Sequence, residues 1–496
     1  MAGPLFIAVD LGAGSGRVFL AGVDPGEFLL EEMHRFQYPP TMNDGNLRWD
    51  LGHIFAEIEL GLKNAGERAS ELGREIASLG IDSWAVDYGL LDAEGRILAD
   101  PVCYRDDRTK DEMAQVFACV PRSEIFEKTG IQFQNFNTLY QLHSEKRRDE
   151  ATGLLLLPDL LNYLLTGKKA AEYTNATTTQ FLNASTGKWD VDLLYRLGLP
   201  SNILQAIIPA GTDLGPLKPE IASELGLEGV RVVAPATHDT GSAVAGAPLG
   251  EDSAYISSGT WSLIGVELPE PLINNDVAEQ NFTNEGGVYG TIRFLKNVMG
   301  LWLLESCRRE WKAAGIDVEY DTLLTQVTAE QEFKAFIFPD DPRFLNPPSM
   351  LAAINEQLAE NGQECENTPA AISKIIFDSL AFRYASVIRS IEDLTGKKIS
   401  SIQILGGGGR NGYLNQMTAN ASGITAHAGL TEATVVGNVL VQAITAGRFS
   451  SIADARKHVS GSFELVRFAP QASAAIDEAA KRYRMIEDRF GVRDRC

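Results

Sequence analysis

Little in this chain speaks for export, a membrane or nucleic acid. Only five of its 496 residues are cysteine: Cys103, Cys119, Cys307, Cys365 and Cys496. The number is odd and no two stand at C-x-x-C spacing, which argues against a disulfide framework or a zinc site. Isolated cysteines of this kind are expected as small buried hydrophobes. Met1–Asp10 has no basic stretch and no long apolar run, so no secretory signal is expected there. The most apolar stretch, Leu154–Leu165, is interrupted by Pro158, Asp159 and Asn162 and is too short to span a bilayer. Positive charge is scarce too. Lys plus Arg number 44 against 66 Asp plus Glu, a formal net charge of -22. That balance argues against nucleic acid or an anionic membrane as a partner. A reducing cytoplasm is the expected location. Any anion site must be built locally, from backbone N–H groups, a metal ion and a few chosen cations.

What is present is ordinary globular composition, 44% hydrophobic and 22% charged. A single core rarely grows beyond roughly 250–300 residues, so two domains are expected. Leu5–Val9 is a short apolar run ending in Asp10-Leu-Gly12. A small-residue turn follows, then Arg17-Val-Phe-Leu20, and the whole reads as a β-hairpin. Leu51, Ile54, Phe55, Ile58 and Leu62 have helical spacing behind Asp50, a plausible N-cap. Ile76–Leu91 reads as strand. Near the middle the pattern restarts: Val230–Ala236 is apolar, and Tyr255–Val266 repeats the strand–turn–strand device around Ser258-Gly-Thr260. Ile402–Gly409 forms a Gly-rich loop before a helical segment reaching Ala421, and Ala474–Arg489 reads as a polar helix. Strands alternating with helices predict α/β architecture in each half, with the boundary near residues 240–255.

Three readings suit Asp10-Leu11-Gly12-Ala13-Gly14-Ser15-Gly16-Arg17. A plain hairpin turn favours glycine for steric reasons alone. A dinucleotide fingerprint needs a third glycine where Arg17 stands and a helix where Val-Phe-Leu follows. A phosphate loop of the hairpin kind explains more. Unpaired N–H groups in such a turn make an anion nest, and Arg17 adds charge-assisted bonding. Asp10 would repel bare phosphate, which makes sense if Mg²⁺ sits between them, since magnesium favours one or two carboxylates plus water and phosphate oxygens.

Thr237-His238-Asp239-Thr240 follows an apolar strand. Asp239 could be a helix N-cap. Yet strand ends of open α/β sheets collect ligands, and a carboxylate there can accept the proton of a hydroxyl attacking a γ-phosphate. His238 suits a hydroxyl partner, or equally a satisfied core histidine. Ser257–Ser262 is a second candidate phosphate loop, with Thr260 and nearby amides as donors, or else an ordinary hairpin turn. Gly406–Gly409 offers a flat backbone for a nucleoside, or else a flexible loop.

With these loops in place, the chain resembles the FGGY carbohydrate kinases of the actin/hexokinase-like ATPase superfamily over nearly its whole length. The stretches that carry the resemblance are Asp10-Leu-Gly, Ile81-Asp-Ser-Trp-Ala-Val-Asp87, Tyr104-Arg-Asp, Gly130-Ile-Gln-Phe133, Asn137-Thr-Leu-Tyr-Gln-Leu142 and Tyr173-Thr-Asn-Ala-Thr-Thr-Thr-Gln180. They continue with His238-Asp-Thr240, Ser257-Ser-Gly-Thr-Trp-Ser262, Asn284-Glu-Gly-Gly287 and Leu295-Lys-Asn-Val-Met-Gly-Leu-Trp302. Within the family the chain is most similar to the branch that phosphorylates L-rhamnulose at its 1-hydroxyl. The resemblance implies two ribonuclease-H-like domains around a cleft, residues 1–245 on the sugar side and 246–496 on the nucleotide side. It implies ATP and Mg²⁺, with Asp10 toward the metal. Ala13, Gly14, Ser15, Gly16, Arg17, Thr260, Glu305 and Gly407 would lie toward ATP. Ala85, His238, Asp239, Thr240 and Asn297 would lie toward the sugar, with Asp239 as proton acceptor. Three positions depart from the family pattern. Gly14 replaces a hydroxyl residue, Ala85 a glycine, and Glu305 a glutamine. The partner expected is a small sugar, with monomer or dimer undecided. Two other functions stay open: a kinase of another ketose or polyol (fuculose, xylulose, ribulose), and an ATP-binding sensor or assembly protein without sugar transfer.

Overall fold

The structure is a computed structural model and describes residues 3–491. Cys496 lies outside the described residues. Two mixed sheets organise the chain. The first runs in the order Thr212–Pro216, Arg231–Ala234, Ile76–Ser83, Leu5–Gly12, Ser15–Asp24, Glu27–Gln37. The second runs Thr283–Gly286, Ile292–Met299, Trp261–Leu268, Ser253–Ser258, Ser401–Leu405, Thr425–Ala428, Val466–Phe468. Both share one plan. A leading strand pairs antiparallel with its hairpin mate on one side and parallel with a later strand on the other. That shared plan is why the opening strand–turn–strand device recurs at Ser253–Leu268, whereas Arg231–Ala234, where the sequence pattern restarts, still belongs to the first sheet.

The hairpins form where they are expected. Leu5–Gly12 is buried almost throughout and pairs with Ser15–Asp24 from Leu5↔Gly22 to Gly12↔Ser15. Ser253–Ser258 pairs likewise with Trp261–Leu268. The helix Leu51–Glu71 starts at Asp50, whose carboxylate accepts from His53 N at 2.9 Å, and buries Ile54, Ile58, Leu62 and Ala65 against the first sheet. The C-terminal helix spans Ala474–Phe490.

Two expectations are corrected. Ile76–Leu91 is not one strand. It splits into Ile76–Ser83 in the first sheet and Tyr88–Leu91, which pairs with Gly153–Leu156. The break is enforced by Asp87, whose buried carboxylate accepts from Trp49 Nε1 (2.7 Å), Trp84 Nε1 (2.9 Å) and Gln141 Nε2 (3.0 Å). Val86, just before it, holds φ +71°, strained for a β-branched residue, and Thr138 Oγ1 donates to its carbonyl at 2.8 Å. Nor are all the cysteines buried. Cys103 and Cys307 are, whereas Cys119 and Cys365 are exposed, and all four are free thiols. Among the described residues no helix is long and apolar enough to cross a membrane.

The two halves meet through a pair of helices, Asp239–Gly246 and Ala433–Thr445. The latter comes late in the chain yet packs Val435, Val439 and Ala443 against Phe6, Ala8 and Phe19 of the first sheet. Its polar face enters the same sheet: Asn438 Nδ2 donates to Asp82 at 2.6 Å, and Gln442 Nε2 to the Ile7 carbonyl at 2.9 Å.

In the second half, the helix Pro369–Thr395 carries Asp378, whose buried carboxylate accepts from Phe333 N and from the Tyr413 hydroxyl at the start of the helix after the Gly-rich turn. Burial pushes Asp378 up to about 6. An unfolded Asp releases its proton near pH ~4, so between there and 6 the folded chain binds more protons. This stabilisation is complete below pH ~4 and is lost as pH rises through 6. Asp378→Asn should therefore flatten the fall in denaturant midpoint between pH ~4 and 6, an effect of about 3 kcal/mol at most. An unchanged slope in the variant would count against the assignment.

Candidate active site

The loops and the central segment converge on one cavity of about 340 Å³ between the two sheets. On the first-half side it is lined by Asp10, Ala13, Arg17 and Ala85. His238, Asp239 and Thr240 form its floor. Thr260, Asn297 and Gly407 line it from the second half. Four expected residues are not brought to it. Gly14, Ser15 and Gly16 lie at and behind the hairpin tip. Gly14 holds φ +142°, a backbone state that favours glycine, and a Cβ at Gly16 would meet the Phe36 ring at 2.4 Å. Glu305 sits on the helix Trp302–Ala313, half exposed and paired with Arg308 at 3.0 Å. Its charge is accommodated on the surface, away from the cavity lining.

Asp239 opens the helix Asp239–Gly246, and its carboxylate stays 29% open to the cavity, enough to be reached. Oδ1 accepts from Thr240 N (2.5 Å) and Thr240 Oγ1 (3.1 Å). Burial raises its pKa above the ordinary carboxylate value, and Asp10 adds to that. A proton acceptor is most effective when shifted toward the working pH in this way.

The segment holding Asp239 is itself pinned. Glu172, fully buried, accepts from Thr237 N (3.0 Å), Thr237 Oγ1 (3.0 Å) and Thr174 N (3.0 Å), while Thr174 Oγ1 receives His238 N at 3.2 Å. Sequence reading missed this role, because Glu172 lies 65 residues before Thr237. Gln132 lies within the Gly130–Phe133 motif. Its Oε1 accepts from both Asn297 N and Asn297 Nδ2 at 3.0 Å, tying the first half's loop to the second sheet across the cavity.

The second-half loops at Ser258 and at Gly406–Gly409 lie backbone on backbone. Gly406 has φ +79°, and a Cβ on Gly408 would fall 2.0 Å from Ser258 Oγ, so nothing larger than glycine lets the two turns meet. Gly407 faces open space.

Arg17 is placed differently from the simplest expectation. Its guanidinium pairs with Asp10 and, across the halves, with Glu432. Beneath Asp10 on the neighbouring strand is Asp82, fully buried, its Oδ1 without a hydrogen-bond partner. Burial first, then Asp10, drives the Asp82 carboxyl well above its usual range. The donors here are all oxygens, which suits a hard cation, and an orphaned carboxylate oxygen lies behind them. Among the described residues no three metal-ligating side chains close into a cage. The residues therefore fit a Mg²⁺ held through Asp10, with water and phosphate oxygens completing its shell.

Comparison with known proteins places this arrangement. Residues 5–246 match the N-terminal domain of the FGGY family of carbohydrate kinases, and residues 254–446 match its C-terminal domain. The chain belongs to the FGGY family of carbohydrate kinases. The rhamnulokinase of Oceanobacillus iheyensis is 43% identical over 93% of this chain and 98% of its own. Those of Bacteroides thetaiotaomicron (43%, covering 96% of this chain and 97% of its own) and Bacillus subtilis (40%, 94% and 96%) are similar. Among solved structures, xylulose kinase from Lactobacillus acidophilus matches with a TM-score of 0.79 at 15% identity, over 98% of this chain and 97% of that one. Plasmodium falciparum glycerol kinase with ADP matches with 0.77 at 14% identity, over 99% and 98%. At such identities these two speak for the fold alone. This FGGY kinase has the two-domain α/β sugar-kinase fold and is a carbohydrate kinase that uses ATP.

Proposed function

We propose that this kinase transfers the γ-phosphate of ATP to the 1-hydroxyl of L-rhamnulose, giving L-rhamnulose 1-phosphate and ADP, with Asp239 as general base. The observation that carries the reading is the position of Asp239. It is a reachable carboxylate with a raised pKa, on a pinned segment, in a cavity lined by both candidate phosphate loops. The choice of sugar is supported by relatives near 40% identity over almost the full chain.

In this reading residues 1–245 hold mainly the sugar and 246–496 mainly the nucleotide. His238, Thr240, Asn297 and the edge at Ala85 face the ketose. The amides around Ala13 and Thr260 face phosphate, and Gly407 the nucleoside. Asp239 takes the proton from the attacking hydroxyl as the O–P bond forms. Mg²⁺ at Asp10, when bound, supplies charge neutralisation to the phosphate oxygens. Arg17 would then exchange a carboxylate for phosphate oxygens, two of which its guanidinium fork can hold at once. Closure of the two halves excludes water that would compete for the phosphoryl group. The enzyme is proposed to work in the cytoplasm.

The test is ADP release with Mg·ATP across L-rhamnulose, L-fuculose, D-xylulose and L-ribulose. The proposal predicts kcat/KM highest for L-rhamnulose by at least about tenfold, roughly one well-placed contact. A better rate on another ketose would keep the kinase and discard the sugar assignment, with Ala85 the first residue to examine. Sugar-independent ATP hydrolysis with no transfer would favour the sensor reading instead.

A further inference from the structure

Behind Asp239 lies a buried arginine with no role in the account so far. Arg293, on the strand Ile292–Met299, has no exposed surface. Its Nε donates to the Gly286 carbonyl at 2.9 Å, and its Nη2 lies 3.0 Å from His238 Nδ1. Its Nη1 is 3.2 Å from Glu285 Oε2. On the other edge of the imidazole, His238 Nε2 is 3.4 Å from Asp239 Oδ1.

An arginine only donates, so His238 Nδ1 must accept and the ring proton must sit on Nε2. The competing tautomer would aim Nδ1–H at Glu285, 3.4 Å away, but would set two N–H groups against each other across the shorter 3.0 Å contact. His238 Nε2 lies 3.4 Å from the same Asp239 oxygen that already receives Thr240 N and Thr240 Oγ1, an electrostatic contact longer than those two hydrogen bonds. Glu285 completes the set. Burial would push its carboxyl up, but Arg293 and then His238 and Asn297 hold it below the ordinary range, so it stays an acceptor and balances the buried guanidinium.

We propose that Arg293 is a positioning residue. It fixes His238 as the Nε2–H tautomer, which commits Asp239 Oδ1 to the protein and leaves Oδ2 as the oxygen that takes the substrate's proton. The assignment rests on Asp239 being the base. It makes the triplet Asp239–His238–Arg293 a chain of orienting contacts in which only Asp239 moves a proton. The balance is simple: one O–H bond breaks at the sugar, one forms at Oδ2, and His238 and Arg293 keep their protons throughout.

The test pairs histidine-selective ¹⁵N NMR with kinetics on the full chain. The His238 signals, identified by their loss in His238→Gln, should show a bare Nδ1 and a protonated Nε2 in the wild type. In Arg293→Met the two nitrogens should average toward a mixture. Its kcat should fall by about tenfold to a hundredfold, the worth of one to two lost charge-assisted contacts, with the KM for ATP within about twofold. Arg293→Lys keeps a donor that cannot accept, and should restore both the tautomer and part of kcat. Should Arg293→Met fail to fold, the wild-type spectrum and the Lys variant still decide. A wild-type His238 protonated on Nδ1, an Arg293→Met enzyme with unchanged kcat, or an Arg293→Lys enzyme that keeps its kcat while His238 loses the Nε2–H tautomer, overturns the proposal. Asp239→Asn separates the two ideas. A dead Asp239→Asn enzyme with the wrong His238 tautomer removes only this inference, whereas an active one removes the base on which it rests.

Discussion

Asp239→Asn should lower kcat by about 10²–10⁴-fold, the usual worth of a positioned general base, while leaving the protein at least as stable. The substitution keeps size and shape, and an amide oxygen can still accept from Thr240 N and Oγ1, which now bond Oδ1. What disappears is the negative charge and the basic oxygen. The raised pKa of Asp239 means that its ionised form is disfavoured in the folded chain, burial being the main cause. Above its folded-state pKa the ionised Asp239 therefore costs stability that a neutral amide does not. Lost turnover with an equal or higher unfolding midpoint is the joint signature of a catalytic group held at the expense of stability. A drop in kcat of only a few-fold would mean that another group, or water, accepts the proton.

The second large effect is expected at Gly437, in the crossing of the helices Asp239–Gly246 and Ala433–Thr445. A Cβ there would lie 1.8 Å from the Ser242 carbonyl oxygen and 2.7 Å from Gly246 N. From the other side, a Cβ on Gly246 would lie 2.4 Å from the Ala433 carbonyl oxygen. Every opposing atom is backbone, so no side chain can swing aside and the helices must part. Overpacking typically costs 1–3 kcal/mol, and a backbone-on-backbone clash belongs at the upper end, about 3 kcal/mol. The damage should reach activity as well. One helix begins with Asp239, and the other carries Asn438 and Gln442, which bond Asp82 and the Ile7 carbonyl. Gly437→Ala is expected to lower both the urea midpoint and kcat. Gly461→Ala is the control, because nothing lies within 4 Å of its would-be Cβ and its φ is ordinary, so its midpoint should hold or rise. Equal midpoints for the two variants would contradict the close crossing.

The architecture was legible in the sequence wherever the signal was local. The hairpins at Leu5–Asp24 and Ser253–Leu268 read clearly, because small and hydroxyl residues interrupt apolar runs at both turns. Asp239 stood out for its place after an apolar strand. The split of Ile76–Leu91 was not legible. It depends on Trp49, Tyr104 and Gln141 meeting at Asp87, and they are up to 54 residues away. Arg293 next to His238, Glu172 under Thr237 and Asn438 on Asp82 bridge 55, 65 and 356 residues. Contacts of that range leave no periodicity to read. Glu305, a position taken from the family resemblance, has its carboxylate paired with Arg308 on the surface, a contact one helical turn away that the motif alone does not foretell.

The most direct test of the account is to identify the product. The enzyme is incubated with Mg·ATP and L-rhamnulose, and the sugar is examined by phosphorus-coupled ¹³C NMR, with ADP counted in the same sample. One ADP formed per phosphosugar, with the phosphorus coupling carried by C1, is the predicted result. Phosphate on another carbon, or ADP accumulating without phosphosugar, would contradict it.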